Sequence, residues 1–133
     1  MVQARLPLLT NITHLLSSEH LRAARLWHRF VFKVFFMQLT AQQLDIIRHY
    51  FTGQPVLRAY LFGSFGRGEA TQESDIDLLV DLDYSQPVGL EFIQMKLDLE
   101  RLLTRKVDLV SSLGVSKYIK PIIDQEKQLI YAR

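Results

Sequence analysis

Two aspartates spaced two residues apart, Asp75 and Asp77, open an apolar run within the stretch AYLFGSFGRGEATQESDIDLLVD. Side chains alternate along a strand, so both carboxylates are expected on one side, about 6–7 Å apart. Two unpaired anions at that separation repel each other, and a divalent cation would remove this cost. Oxygen ligands without Cys or His favour Mg²⁺, with Mn²⁺ as the alternative.

A third aspartate, Asp108, lies inside the short apolar segment KVDLVS, where a lone buried carboxylate is costly unless it is paired or bound to a metal. If this segment forms a strand beside the first one, Asp108 completes a cluster of three carboxylates. Such a cluster would hold two metals, or one metal plus a base, and suits in-line displacement at phosphorus. An ion pair between Asp108 and Arg105 or Lys106 is the alternative.

A glycine-serine pair, Gly63-Ser64, precedes the aspartates by ten residues. Gly63 allows a sharp turn and close approach to a ligand, and Ser64 offers a hydroxyl and backbone N–H groups at a helix start. Arg67 adds a forked cation, and Gly66 and Gly68 are expected to keep the loop open. Neither a Walker phosphate loop nor a dinucleotide fingerprint fits these residues.

Taken singly, the acids have simpler explanations. Asp75 could cap a turn, and Asp77 could simply face solvent. For Asp81 and Asp83, which lie at a strand exit beside a turn, we expect such a purely structural explanation. The combination of Gly-Ser after one strand, Asp-x-Asp opening a second and an aspartate in a third favours a site.

The elements that must position these residues follow from hydrophobic spacing, which predicts an α/β (α+β) domain with a mixed sheet of three to four strands. We expect the apolar face of the long helix to be Leu90, Ile93, Leu97 and Leu103. The predicted elements are a helix capped by Thr40 and running to about Tyr50, strands at 56–63, 75–83 and 106–111, helices at 88–103 and about 116–126, and a closing strand at 128–132.

Composition restricts the function classes. The chain has 133 residues, 48% hydrophobic and 23% charged, which suits one globular domain. The absence of cysteine excludes disulfides and thiolate metal sites, and the four histidines form no ligand-spaced cluster. Residues 1–36 carry a net charge of +4 and residues 37–133 a net charge of −2, so no basic patch in the body predicts direct nucleic-acid binding.

Residues 1–36 form a basic, aromatic N-terminal extension with a predicted helix from about Ser18. Its uncharged stretches are too short to span a membrane, and it is a poor secretory signal, so we expect a cytoplasmic protein. Met37 opens a natural domain of residues 37–133. The extension is therefore interpreted as an upstream addition or an over-called start codon, with a docking or membrane-surface helix as the alternative.

Gly63-Ser64, ten residues and Asp75-Ile76-Asp77 make up the pattern G-S-x10-D-x-D, which resembles the nucleotidyltransferase superfamily that includes DNA polymerase β. LFGSFGRGEATQESDIDLLVD and RKVDLVS resemble most the minimal nucleotidyltransferases (MNT), over about residues 39–132. The resemblance implies the polymerase β-like nucleotidyltransferase fold.

The resemblance also implies residue roles. Gly63 and Ser64 would hold the β- and γ-phosphates of the nucleotide, and Arg67 lies where the family often has a basic residue. Asp75 and Asp77 would ligate Mg²⁺, and Asp108 would complete the metal site and help to activate the acceptor. The implied reaction moves AMP from ATP to a hydroxyl and releases pyrophosphate.

Family members this small lack a helical substrate domain, which implies that a partner completes the acceptor site. In the family that partner is typically a HEPN-domain protein, and the MNT protein acts as an antitoxin by attaching AMP to a tyrosine of the HEPN ribonuclease. A hetero-oligomer with such a partner is expected. The alternatives are a non-catalytic antitoxin that acts by binding, and transfer to a small molecule such as an aminoglycoside.

Overall fold

A computed structural model of the chain describes residues 36–133, which form one compact unit. The predicted extension of residues 1–36 and its helix from Ser18 lie outside the described residues, apart from Phe36. The elements are α1 Ala41–Thr52, β1 Val56–Phe62, α2 Gly63–Arg67, β2 Ile76–Leu82, α3 Leu90–Leu103, β3 Val107–Ser111, a 3₁₀ turn Ser112–Gly114, α4 Lys120–Glu126 and β4 Gln128–Ala132.

The four strands form one mixed sheet in the order β3-β2-β1-β4. Strand β1 is antiparallel to both β2 and β4, whereas β2 and β3 are parallel and are connected through α3. The predicted mixed sheet of three to four strands flanked by helices is confirmed. Because β2 is an inner strand, the side chains at its start are framed by β1 on one side and by β3 on the other.

Helix α1 begins as the sequence predicts. Thr40 accepts a hydrogen bond from the backbone N–H of Gln43, and the Gln43 side chain accepts one from the N–H of Thr40, which completes a capping box. Ile47 and Phe51 are buried, and Leu44, Ile46 and Tyr50 pack against the core. The helix runs two residues past Tyr50, to Thr52.

The predicted apolar face of α3 is wrong. Leu90, Ile93 and Leu97 are 81%, 56% and 50% exposed, and of the predicted face only Leu103 is buried. The buried face is instead made of Met95, Leu99 and Leu103, with Phe92 partly buried. Both sets have helical spacing, and the sheet selects the set containing Met95 and Leu99, whose side chains are fully buried.

Alternation in β2 separates a core face from a polar face. Ile76, Leu78 and Val80 are fully buried in the main core, whereas Asp77 and Asp81 point to the other face and are half-buried. Helix α4 contributes to that second face, because its Lys120 and Ile123 line a cavity of about 270 Å³ with Leu79 of β2.

Helix α4 begins at Lys120, four residues later than expected, with Pro121 in its first turn.

Within residues 36–133, none of the helices combines the length and the apolar character needed to cross a bilayer.

Candidate active site

The register between the two parallel strands places two of the predicted carboxylates side by side. Asp77 of β2 pairs with Asp108 of β3, flanked by the pairs Ile76 with Val107 and Leu78 with Leu109. Paired residues of neighbouring strands point to the same face, about 5 Å apart. Asp77 and Asp108 therefore share one face of the sheet, as the sequence predicted if the two strands were neighbours.

Asp108 is exposed, which corrects the expectation that it is buried within an apolar strand. Strand β3 is the edge of the sheet, and its neighbours Val107 and Leu109 are the residues that enter the core. The alternation of the strand turns Asp108 towards the open face. The carboxylate forms no ion pair with Arg105 or Lys106; Lys106 instead lies 3.9 Å from Asp75.

Asp75 lies one residue before β2, so it belongs to the loop that enters the strand. The backbone N–H of Ile76, the first residue of β2, donates a hydrogen bond to the carbonyl of Lys106, just before β3, at 2.9 Å. This bond at the start of the two strands brings Asp75 beside Lys106. Asp75 is half-buried and lies at the same end of the sheet as Asp77.

Asp77 lies in a strongly negative environment. Burial, followed by repulsion from Asp108 and Asp75, raises the pKa of the Asp77 carboxyl to about 6, while the positive charge of Arg67 opposes the rise. A cation placed among these carboxylates would lower that electrostatic cost.

The donor set fits a hard divalent cation, since Asp75, Asp77 and Asp108 supply only carboxylate oxygens. Within residues 36–133, no three Asp, Glu, His or Cys side chains already stand close enough together to hold a metal ion. The three side chains therefore have the ligand chemistry that Mg²⁺ or Mn²⁺ prefers, and they lie in the same part of the sheet. Their carboxylates are not close enough together to hold a metal ion without moving.

The Gly-Ser pair meets the carboxylates at the end of β1. Phe62, the last residue of β1, pairs with Asp77, and the chain turns into α2 at Gly63 with φ +65°. A Cβ at position 63 would overlap Oδ2 of Asp77 and lie 2.9 Å from its Cγ. Ser64 follows in the first turn of α2, as predicted, and its hydroxyl makes no hydrogen bond within residues 36–133. A glycine is needed here for two reasons, its conformation and the nearby carboxylate.

Comparison with known proteins identifies this arrangement. The family model described as polymerase beta, nucleotidyltransferase, matches residues 45–133. The chain belongs to this nucleotidyltransferase family. The polymerase β-like fold and the membership expected from G-S-x10-D-x-D are both confirmed.

Several relatives match about half of the chain. A Methanocaldococcus jannaschii protein with the provisional name protein adenylyltransferase MJ1379 is 41% identical over 73 residues, which cover 53% of this chain and 71% of that protein. Protein adenylyltransferase MntA of Thermococcus cleftensis is 48% identical over 63 residues, which cover 44% of this chain and 63% of that protein.

Solved structures agree in fold. A structure provisionally described as a minimal nucleotidyltransferase has a TM-score of 0.58 at 31% identity and covers 65% of this chain and 88% of its own. A crystal structure described as a toxin–antitoxin with AMP-PNP has a TM-score of 0.58 at 20% identity, covering 71% of this chain and 75% of that chain. The second likeness shows a shared fold.

The structure of this nucleotidyltransferase also shows what Arg67 contacts. Its guanidinium donates to Glu126 at 3.0 Å and to Glu69 at 3.2 Å, and both bonds raise the pKa of Arg67. The other oxygen of Glu126 accepts the backbone N–H of Gly63 at 3.1 Å. The sequence reasoning missed Glu126, because a carboxylate in the last turn of a helix has no local signal for such a contact.

Gly66 has a packing role that differs from the open loop expected. It is buried within α2, and a Cβ there would lie 3.0 Å from the carbonyl oxygen of Leu61. Its own carbonyl accepts a 2.7 Å hydrogen bond from the side chain of Gln128, at the start of β4. Gly68, with φ +71° and open space around it, ends the helix in the left-handed conformation.

Arg105, which precedes β3, anchors the loop that leads into the aspartates. Its guanidinium donates to the carbonyls of Gln72 and Ser74 at 2.8 and 2.9 Å, and it lies 5.5 Å from the ring centre of Phe65 in α2. One side chain thereby connects the segment before Asp75 to the helix that carries Ser64. No sequence signal predicts a role of this kind.

The two other acids of the β2 region have structural partners. Asp81 forms an ion pair with Arg58 on β1 at 3.0 Å, and Asp83 accepts hydrogen bonds from Ser85 and Arg133. These bonds, led by the Ser85 hydroxyl, lower the pKa of the Asp83 carboxyl to about 2. Asp83 therefore matches the expected acid beside a turn, whereas Asp81 lies within β2, half-buried and paired with Arg58, and neither caps a turn nor faces solvent.

Proposed function

We propose that this nucleotidyltransferase transfers AMP from ATP to a tyrosine hydroxyl of a HEPN-domain partner, and thereby acts as an antitoxin. The observation that carries the proposal is the contact of Gly63 with Asp77, whose strand neighbour is Asp108. This contact brings a serine-bearing turn suited to phosphate directly against a pair of carboxylates suited to a divalent cation.

Ser64 is assigned to the phosphates of ATP, because its hydroxyl makes no bond within residues 36–133 and lies next to Gly63. Asp75, Asp77 and Asp108 are assigned to Mg²⁺, which when bound would neutralise charge on the phosphates and on the carboxylates. A dependence on Mg²⁺, with Mn²⁺ as a substitute, follows from the oxygen-only donor set.

The proposed transfer is a displacement at the α-phosphorus. The acceptor oxygen forms a bond to this phosphorus while the bond to the oxygen bridging the α- and β-phosphates breaks, and pyrophosphate leaves with that electron pair. The hydroxyl proton passes to a base, which we assign to Asp108 because its carboxylate is exposed on the open face, and then to water.

A protein acceptor fits the compactness of the body, since the elements described in residues 36–133 are used to build the sheet and its covering helices. Further support comes from the protein adenylyltransferase name of the Thermococcus cleftensis relative. A structural neighbour is described as the toxin–antitoxin MntA–HepT, at a TM-score of 0.56 and 18% identity. A cytoplasmic location stays a prediction.

The test uses ATP labelled at the α-phosphate, Mg²⁺, the purified full chain and a lysate of its source cells. We expect a labelled protein band, absent when Asp75→Ala/Asp77→Ala replaces the wild type and retained with Asp81→Ala, whose carboxylate serves Arg58. Mass spectrometry of the band would locate the modified residue. Label confined to small molecules would refute a protein acceptor, and ATP binding without any labelling would favour an antitoxin that acts by binding alone.

A further inference from the structure

Glu126 connects the last turn of α4 to the turn that follows β1. One of its oxygens accepts the N–H of Gly63 at 3.1 Å and the other accepts Nη1 of Arg67 at 3.0 Å. The Glu126 side chain is only 15% exposed, whereas that of Arg67 is 43% exposed. The carboxylate therefore spans the whole of α2, from its first residue to its last.

Helix α2 has no side-chain cap at its N-terminus. Its N-cap position is Phe62, which makes no side-chain hydrogen bond to the helix. An unpaired N–H at a half-buried helix start is destabilising, and the bond to Glu126 satisfies the N–H of Gly63. Because the bond fixes the Gly63 peptide, it also fixes the direction in which Gly63 meets Asp77 and in which Ser64 leaves the turn.

We propose that Glu126 is a positioning residue for AMP transfer, holding the Gly63 peptide and Arg67 so that Ser64 faces the nucleotide phosphates beside the Asp77 carboxylate. This inference rests on the proposed function. It assigns the phosphate contact to Ser64, since the Gly63 N–H already donates to Glu126. Arg67, whose guanidinium forms ion pairs with both Glu126 and Glu69, stabilises the conformation of the turn.

The opposite arrangement would make Glu126 a competitor of the nucleotide. In that case a phosphate would replace the Glu126 carboxylate on the Gly63 N–H and on Arg67, and removing Glu126 would strengthen nucleotide binding. Positioning by Glu126 predicts weaker nucleotide binding on its removal. The two arrangements thus differ in the sign of one measured quantity.

The test compares Glu126→Ala, Glu126→Gln and Asp124→Asn. Glutamine keeps an oxygen that can accept the Gly63 N–H, whereas alanine removes both bonds. Asp124 lies two residues earlier in the same helix and pairs with Lys120 and Lys127, away from Gly63. Its substitution removes the same charge from α4 and is expected to leave transfer unchanged.

For AMP transfer to the labelled partner, we expect kcat to fall about 100-fold in Glu126→Ala and about 10-fold in Glu126→Gln, because small displacements of reacting groups are costly. The KM for ATP should change much less than kcat, and the glutamine variant should rescue part of the loss. A loss that simply followed reduced folding, measured by urea unfolding, would contradict a positioning role.

Two readouts do not depend on transfer. The amide NMR signal of Gly63 should shift in Glu126→Ala and remain near its wild-type position in Asp124→Asn. Binding of AMP-PNP with Mg²⁺ should weaken several-fold in Glu126→Ala. Tighter AMP-PNP binding, or an unchanged Gly63 signal, would overturn the proposal even if the wild type transfers no AMP. Failure of the wild type to label any protein would count instead against the proposed function.

Discussion

Gly63 lies against Asp77 where β1 ends and β2 begins, and this proximity leaves no room for a side chain at position 63. The Gly63 backbone has φ +65°, and a Cβ there would overlap the Asp77 carboxylate. Gly63 and the Asp77 carboxylate are therefore one structural unit, although Asp77 follows Gly63 by fourteen positions in the chain.

Gly63→Ala should abolish activity. The substitution adds strain of about 1–2 kcal/mol for a left-handed conformation and also pushes the added methyl group into Asp77. Gly68→Ala is the matched control, since Gly68 has φ +71° but no atom within 4 Å of an added Cβ. We expect both variants to lose urea stability and only Gly63→Ala to lose AMP transfer. Equal loss of transfer in the two would show that strain alone matters.

Asp77→Asn and Asp108→Asn should each reduce transfer by at least about 100-fold, because each removes a carboxylate assigned to the metal. Asp81→Asn, on the same strand and the same face, removes only the ion pair with Arg58 and should remain active. The measurement is the initial rate of labelling at saturating Mg²⁺. An Asp108→Asn variant with normal rates would remove Asp108 from the site.

Arg105→Met should loosen the loop that enters Asp75. It removes the hydrogen bonds to the carbonyls of Gln72 and Ser74, each worth about 1.5–3 kcal/mol when the donor is charged, although exposure reduces this. We expect faster hydrogen exchange at residues 71–75, lower urea stability and slower transfer.

Arg105→Lys should give hydrogen exchange, stability and transfer between those of the wild type and Arg105→Met, because lysine keeps the positive charge but lacks the planar guanidinium that donates to two carbonyls. Arg101→Met is the control: Arg101 is 77% exposed and makes only a 3.4 Å contact with Asp98, so its loss should be close to neutral. Unchanged exchange at residues 71–75 in Arg105→Met would contradict the anchoring role.

The hydrogen bonds that Asp83 accepts from Ser85 and from Arg133 should make the stability of the fold depend on pH in the acid range. The folded pKa of Asp83, about 2, lies below its unfolded value of about 3.9, so its stabilising contribution is present above pH 4 and lost as the pH falls towards 2.

Asp83→Asn should therefore lower the urea midpoint at pH 6 and have much less effect at pH 2. Asp45→Asn, whose carboxylate is 77% exposed and 3.8 Å from Arg48, should change little at either pH. A difference between Asp83→Asn and wild type that stays constant from pH 6 to pH 2 would refute this account.

Residue type and local spacing were sufficient to predict the carboxylates, the Gly-Ser turn and most element boundaries. The capping box at Thr40 and the alternation of β2 depend on neighbours within a few positions, so local sequence is enough to predict them. For helix α3, local sequence is not enough. It carries two apolar stripes, and only packing against the sheet decides that Met95 and Leu99 are buried while Leu90 and Ile93 are exposed.

The sequence by itself was enough to propose which residues bind phosphate and metal, because Gly63-Ser64, Asp75 and Asp77 lie within one short segment. The tertiary structure decided how they are supported. Asp108 is exposed because β3 is an edge strand, and Glu126 reaches Gly63 because α4 ends beside the turn that follows β1. Contacts between residues more than sixty positions apart depend on strand order and helix placement, which arise from burying the whole core and leave no local pattern in the chain.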